Sequence, residues 1–463
     1  MTSIKSVLVL LGLGFTACAV GPDFQRPAGV LPATWGAGKQ AAAAAAADPA
    51  ALVSWWRRFH DPKLNALVEQ AVEANLDVRQ AAARLRQARA ERQAATAPFW
   101  PWLSASGSEQ QSDVGGSGPG AGNYRSYRGG LSAAWELDVF GGKRRTLESA
   151  NARLAASAAA LDATRLSMAA EVALTYCQLR SIQDQLVVAR RNLGTQQKSA
   201  NITHERRGAG FASDLDVVNS DALVANTKAQ LPRLETNARQ TAHALAVLLA
   251  RPPADLLGLL ADSSPVPTAS VAVPAGIPSD LLRRRPDIRS AEANAHAATA
   301  RIGVAVADLF PKFSLTGSLS QQSAKLTDWL SPTARVSGFG PSFNWALFQG
   351  GSIQANIRVQ EALRDEALLA YRKTVLVALQ EVEDAMIAGA NELKRRASLT
   401  EAVAANRRAV ELSTELYTAG QTDFINVLSA QRSLLLSESE FTLSNLALAS
   451  DVIALYKALG GGW

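Results

Sequence analysis

The sequence is poor in the residues that bind metals and carry covalent chemistry. Among 463 residues there are two cysteines, Cys18 and Cys177, and four histidines. Two cysteines build neither a disulfide framework nor a thiolate metal site. The histidines show no H-x-x-x-H or H-E-x-x-H spacing, so no metal and no cofactor is expected. Cys177 lies in "LTYCQL" on an apolar helical stripe and reads as a small buried hydrophobe. Basic clustering is missing too: the net charge is +6, and arginine alternates with aspartate and glutamate. The densest run, "RRRPD" (Arg283–Asp287), reads as the solvated start of a helix, so no nucleic-acid partner is expected. Catalytic patterns are absent. "RGAGFASD" has glycines but lacks the Lys-Ser/Thr of a phosphate loop. No serine, histidine and aspartate stand in a recognisable nucleophile context, so the chain is not expected to be an enzyme.

Long apolar runs are scarce. The one candidate opens the chain: "MTSIKSVLVLLGLGFTACAVGPDF" has one lysine, an apolar run from Val7 to Phe15, then small residues. This is the layout of a signal peptide over residues 1–17, too short to span a bilayer as a helix. "FTAC" resembles a bacterial lipobox, with Phe15 departing from the usual leucine. The resemblance implies a lipidated Cys18 at the head of an N-terminal strap, residues 18–60. Ordinary cleavage after Ala19 is the other reading. The residue after Cys18 is alanine rather than aspartate, which points to the outer membrane. With no other membrane helix in view, a chain that crosses a bilayer has to do so as a closed β-barrel.

What the sequence does have is repetition. Shifted by 210 residues against itself, "LDVRQAAA" (Leu76–Ala83) faces "PDIRSAEA" (Pro286–Ala293). "FWPWLSASGS" falls near "LFPKFSLTGS", and "RGAGFASDLDV" (Arg207–Val217) meets "YTAGQTDFINV" (Tyr417–Val427). A constant offset across separate places marks a duplicated unit. The expected division is a first repeat over 61–250, a proline-rich linker over 251–278 and a second repeat over 279–463. Each repeat reads as a helix (Asp61–Ala97; Ser279–Leu309), a proline break, two strands, a Gly-Gly breaker and two further helices. The stretches Lys143–Arg207 and Ser352–Ala419 contain no proline. As unbroken helices they are on the order of 95 Å long, a length sustained by coiled-coil contact. Val375, Leu379, Val382 and Met386 have suitable spacing. A stack of shorter helices broken at Gly194 and Gly389 stays open.

The strands are expected at about Trp102–Gln111, Tyr124–Leu137, Lys312–Gln322 and Ala334–Phe348. "FPKFSLTGSLSQQS" alternates: Phe313, Leu315, Gly317 and Leu319 share one face, Ser314, Thr316, Ser318 and Ser320 the other. In the fourth strand Phe339, Pro341, Phe343, Trp345 and Leu347 form an apolar face. Trp100, Trp102, Tyr124, Tyr127 and Trp135 suit an aromatic girdle. Transmembrane barrels have this alternation, although a small soluble sheet resting on helices has it too. Four strands cannot close a barrel, and open edges do not survive in lipid. The barrel therefore has to be shared between copies: eight strands from two, or twelve from three.

The lipobox, "VGPDFQRP" (Val20–Pro27), "WWRRFHDPKLNALVEQAVEANLDVRQAAARLRQARA", the duplication and "AQRSLL" (Ala430–Leu435) together resemble the TolC-like outer membrane factors of tripartite efflux pumps. The likeness is to the NodT-type lipoprotein subgroup that works with resistance-nodulation-division pumps, and it covers nearly the whole mature chain. The resemblance implies an α+β membrane protein whose homotrimer builds a twelve-stranded transmembrane β-barrel and a long α-helical barrel in the periplasm. It implies an outer membrane efflux channel for small molecules, anchored in outer membrane lipid at Cys18. Its partners are a periplasmic adaptor and an inner-membrane pump. The adaptor-docking tip falls at the two helical joints, with Gly208, Gly210 and Gly420 in the turns. Asp216 and Tyr417 match a gate link of relatives. The family's acidic constriction falls on "INVLSA" (Ile425–Ala430), where Asn426 and Ser429 replace the acids. Ile425 and Leu428 then suggest an apolar gate, with Arg432 as a positive ring. The rivals are a lipid-anchored periplasmic coiled-coil adaptor or scaffold, and a TolC-like channel for protein secretion.

Overall fold

In the computed structural model the described residues are 19–27, 32, 35, 52–115, 122–269 and 284–462. The signal peptide, Cys18, most of the strap and the last part of the linker, residues 270–278, lie outside them.

Asp61 caps helix α1 (Pro62–Ala74), its Oδ1 accepting from the amides of Lys63 at 2.8 Å and Leu64 at 3.0 Å. Helix α2 (Leu76–Thr96) follows after one residue. The expected single helix over 61–97 is therefore two. Asn75, with ψ 136°, ends the first and starts the second, its Oδ1 accepting from the amides of Asp77 and Val78.

Strands β1 (Trp102–Val114) and β2 (Gly122–Leu137) come next, then helices α3 (Gly142–Gly208) and α4 (Asp214–Leu248). The second half repeats the order with α5 (Pro286–Ala307), β3 (Lys312–Ser323), β4 (Arg335–Asn344), α6 (Ser352–Thr418) and α7 (Phe424–Ala458). Helices α3 and α6 each run 67 residues, unbroken through Gly194 and Gly389. Helices α4 and α7 each run 35 residues. The starts at 142 and 352, and at 214 and 424, keep the shift of 210 without slippage. On α6 the buried stripe is Val375, Ala378, Val382 and Ala385, the 3–4 spacing of a coiled-coil seam.

The duplication extends to single bonds. Trp135 Nε1 donates to the Phe99 carbonyl at 2.9 Å, and Trp345 Nε1 to the Leu309 carbonyl at 3.0 Å. Asn75 Nδ2 reaches the carbonyl of Leu248 at 2.8 Å, and its counterpart Arg285 reaches that of Ala458 at 3.0 Å. Strand β4 stops at Asn344, short of the expected Phe348, because its partner β3 begins at Lys312, the residue opposite Asn344, and nothing lies beyond it to pair with.

The contacts divide the chain into two units. One holds the sheet, with Arg84–Ala158 and Ser290–Lys373. The other holds the long-helix hairpins, and its core includes Trp55 stacked on Tyr456 at 5.5 Å. The sheet is an antiparallel meander in the order β1-β2-β3-β4. Among the described residues no helix is long and apolar enough to cross a membrane.

Candidate functional site

The sheet has two different faces, fixed by its register. Rows such as Leu103–Ala133–Gly317–Phe339 and Leu137–Phe313–Phe343 lie on one side. Trp135, Leu315 and Pro341 join them, and Phe339 and Phe343 are 80% and 70% exposed. From Phe313 to Leu319 this apolar band covers about 20 Å along the strand. The other side carries Ser104–Ser132–Ser318, Ser106, Ser108, Ser314, Thr316, Ser320 and Ser342. Charges on the polar side, among the described residues, are Arg128, Glu136 and Lys312. Trp102 and Tyr124 also fall on this polar side, so the expected girdle is corrected: only Tyr127 and Trp135 of the strand aromatics named for it lie on the apolar face. The cause is parity, since Leu103 claims the apolar side and its neighbour Trp102 must point away.

The outer edges of β1 and β4 pair with nothing among the described residues. An apolar sheet face beside two unpaired edges is an incomplete object. Unpaired strand amides template a further strand.

The other candidate site is where each long hairpin turns. Gly210 (φ +84°) and Gly420 (φ +76°) adopt the left-handed conformation that closes a helix. Their amides donate to the carbonyls of Arg207 and Tyr417, both at 3.0 Å. The next amides, of Phe211 and Gln421, reach back to Arg206 at 2.7 Å and Leu416 at 2.8 Å. Gly208 is the last residue of α3 and has no such backbone requirement. Leu223, Tyr417, Phe424, Val427 and Leu428 form a buried cluster that joins the two hairpins. Arg206 lies over the Tyr417 ring at 4.8 Å and donates to the Thr418 carbonyl at 3.0 Å. Arg207 grips Asp214 across the first turn, and its bonds hold the Asp214 carboxyl below the usual range.

Two expectations change here. Leu428 is 2% exposed within the cluster, so its side chain packs the joint between the hairpins rather than facing solvent. Ile425, Asn426, Ser429 and Arg432 share an exposed helical face, which is where a lining residue belongs. Asp216 and Tyr417 are not linked. Asp216 completes a capping box, accepting from the amide and hydroxyl of Ser213 at 3.1 and 2.8 Å. The Tyr417 hydroxyl is buried with no hydrogen-bond partner among the described residues. The pattern Ser213-x-x-Asp216 was the signal that this carboxylate is spent locally.

Sequence reasoning missed Glu438. It is 4% exposed on α7 and accepts from Arg191 at 2.6 Å, Arg407 at 2.9 Å and Asn192 at 2.8 Å. Burial pushes its carboxyl up, but these donors outweigh burial and leave it below the ordinary value. Nothing in the local sequence marks a lone glutamate as the meeting point of three helices. The apolar side chains bared at the first joint, Phe211, Leu215 and Val218, were also overlooked.

A duplicated chain that pairs long helical hairpins with an open, one-side-apolar sheet belongs to the class of subunits that share one membrane barrel. The outer membrane efflux protein family matches this chain twice, over residues 67–251 and 277–461, and the chain belongs to that family. Nodulation protein T of Rhizobium leguminosarum bv. viciae is 35% identical over 463 residues, covering 100% of this chain and 94% of the relative. The probable efflux pump outer membrane protein TtgC of Pseudomonas putida is 33% identical over 468 residues, covering 98% and 96%. The solved structure of the outer-membrane channel OprN superimposes with a TM-score of 0.89 at 38% identity, covering 96% of this chain and 100% of that one.

Proposed function

We propose that three copies of this chain form an outer membrane channel that exports small molecules, as the terminal part of a tripartite efflux system. The carrying observation is the sheet: an apolar band on one side, with the charges Glu109, Asp113, Arg125 and Arg335 confined to the end away from the helices, serine-rich on the other side, and unpaired at both edges among the described residues. Pairing β4 of one copy with β1 of the next around three copies removes every edge and gives twelve strands. The apolar side then meets lipid and the serine side lines water. Family membership supports the direction of transport. The domain plan is a strap over 18–60, repeats over 61–250 and 279–463, and a linker over 251–278. Acylation of Cys18 adds an anchor to the barrel.

In this reading the hairpin joints at Gly208, Gly210 and Gly420 receive a periplasmic adaptor, which links the channel to a resistance-nodulation-division pump in the inner membrane. Ile425, Asn426, Ser429 and Arg432 line the constriction. With neutral side chains at 426 and 429 and a guanidinium at 432, the constriction has little hold on cations. Purified protein added to a planar bilayer tests the function: discrete single-channel conductance steps are expected, and a silent bilayer from well-folded protein contradicts it. A coiled-coil scaffold gives the silent outcome.

A further inference from the structure

Closing the sheet between copies sets two particular helices side by side. If β4 of one copy pairs with β1 of the next, the helix that leaves β4 lies next to the helix that enters β1. These are α6 and α2. The same relation occurs once inside the chain, where β2 pairs with β3, α3 leaves β2 and α5 enters β3. There the contact is visible. Ser149 Oγ donates to the Ala297 carbonyl at 3.0 Å, Ser290 Oγ to the Ala156 carbonyl at 3.2 Å, and His296 Nε2 lies 2.9 Å from Glu148 Oε1.

The shift of 210 turns α3 into α6 and α5 into α2, and burial tells them apart. On α3 the stripe Ser149, Ala152, Ala156 and Ala159 is buried. Its counterpart on α6, Val359, Ala362, Glu366 and Leu369, is exposed, with Val359 at 52% and Leu369 at 63%. On α5, Ala297 and Ala300 are buried. Their counterparts on α2, Gln87 and Ala90, are exposed. One backbone plan thus appears with its joint covered in one place and bare in the other.

Charge agrees. Helix α2 carries Arg79, Arg84, Arg86, Arg89 and Arg92 against Asp77 and Glu91. The bare stretch of α6 carries Glu361, Asp365 and Glu366, with Arg364 already held by Asp365 at 2.8 Å.

We propose that the bare stripes of α2 and α6 are the two sides of the joint between copies, and that the α3–α5 contact is its template. In that register Val359 of one copy meets Gln87 of the next, and Glu361 falls level with Arg84 and Arg86. The joint rests on the three-copy reading but makes a separate claim, about which residues touch.

Cysteine bridging tests it. Val359→Cys is combined in turn with Gln87→Cys and, as a control from the covered side of α2, with Ala88→Cys. After mild oxidation, the Gln87 combination gives linked chains up to three copies on a non-reducing gel. The Ala88 combination and each single variant give none. Ser149→Cys with Ala297→Cys, the template pair, bridges within one chain and leaves the apparent mass single. As a second readout, Glu361→Arg lowers the assembled fraction in harsh detergent, and Arg84→Glu in the same chain restores it. Protein that assembles and conducts, yet forms no Gln87 bridge and ignores the charge swap, overturns the register. Protein that never assembles overturns the three-copy reading instead.

Discussion

At the far end of both long hairpins the last helix closes on the same two hydrogen bonds, yet the first half places Ala250 where the second places Gly460. Ala250 holds φ +54° and Gly460 φ +76°. Their amides bond to Val247 at 2.9 Å and Lys457 at 3.0 Å. A second contrast sits along the same helices. Glu438 on α7 binds three side chains, while Lys228, its counterpart on α4, is exposed. The halves therefore share a backbone plan and diverge in what each position is asked to hold. Duplication conserved the shape and freed the side chains, so one half can be strained or bare where the other is relaxed or covered.

Mutations can break this comparison. The largest effect is expected at Glu438. Glu438→Ala removes the shared carboxylate of Arg191 and Arg407 and should cost about 2–3 kcal/mol in lost charge-assisted hydrogen bonds and packing, whereas Lys228→Ala stays within about 0.5 kcal/mol. Urea unfolding of the detergent-held protein, followed by helical circular dichroism, measures both. Next is Gly460→Ala, expected to cost about 2 kcal/mol for a left-handed alanine. Its Cβ also falls 3.2 Å from the Arg284 carbonyl carbon. Ala250→Gly, the reverse exchange, should stabilise by about 1 kcal/mol. Equal and opposite shifts would show that the two ends differ only in backbone strain. Capping sharpens the contrast further: Ser213→Ala should cost about 1 kcal/mol. Asp423→Ala should cost less, since Asp423 makes no side-chain cap bond.

The smallest effect is one of pH. Burial first, and the Glu392 carboxylate second, push the Asp451 carboxyl up to about 6. The folded protein therefore takes up this proton at a higher pH than the unfolded chain. The group adds stability as pH falls below about 6, and that increment is lost as pH rises through 6. The urea midpoint of the native chain should gain more between pH 7 and pH 5 than that of Asp451→Asn.

Much of this was legible in the sequence. The shift of 210 fixed the repeat, proline-free stretches located α3 and α6, and alternation placed Phe313, Leu315 and Leu319 on one face. What stayed hidden depends on partners far away in the chain. Asn75 breaks a helix because its side chain caps the next helix and reaches Leu248. Leu428 carries the same local signal as Ile425, and only the position of Leu223 and Tyr417 decides which is covered. Trp102 and Tyr124 were misassigned because strand parity follows from pairing, not from the aromatic character of one residue.

The central claim is that one chain supplies a third of a closed barrel, and the number of copies tests it most directly. The mass of the detergent-extracted complex, measured intact, should equal three chains, with the sheet retained. A stable, folded single chain or pair with its sheet intact contradicts the account.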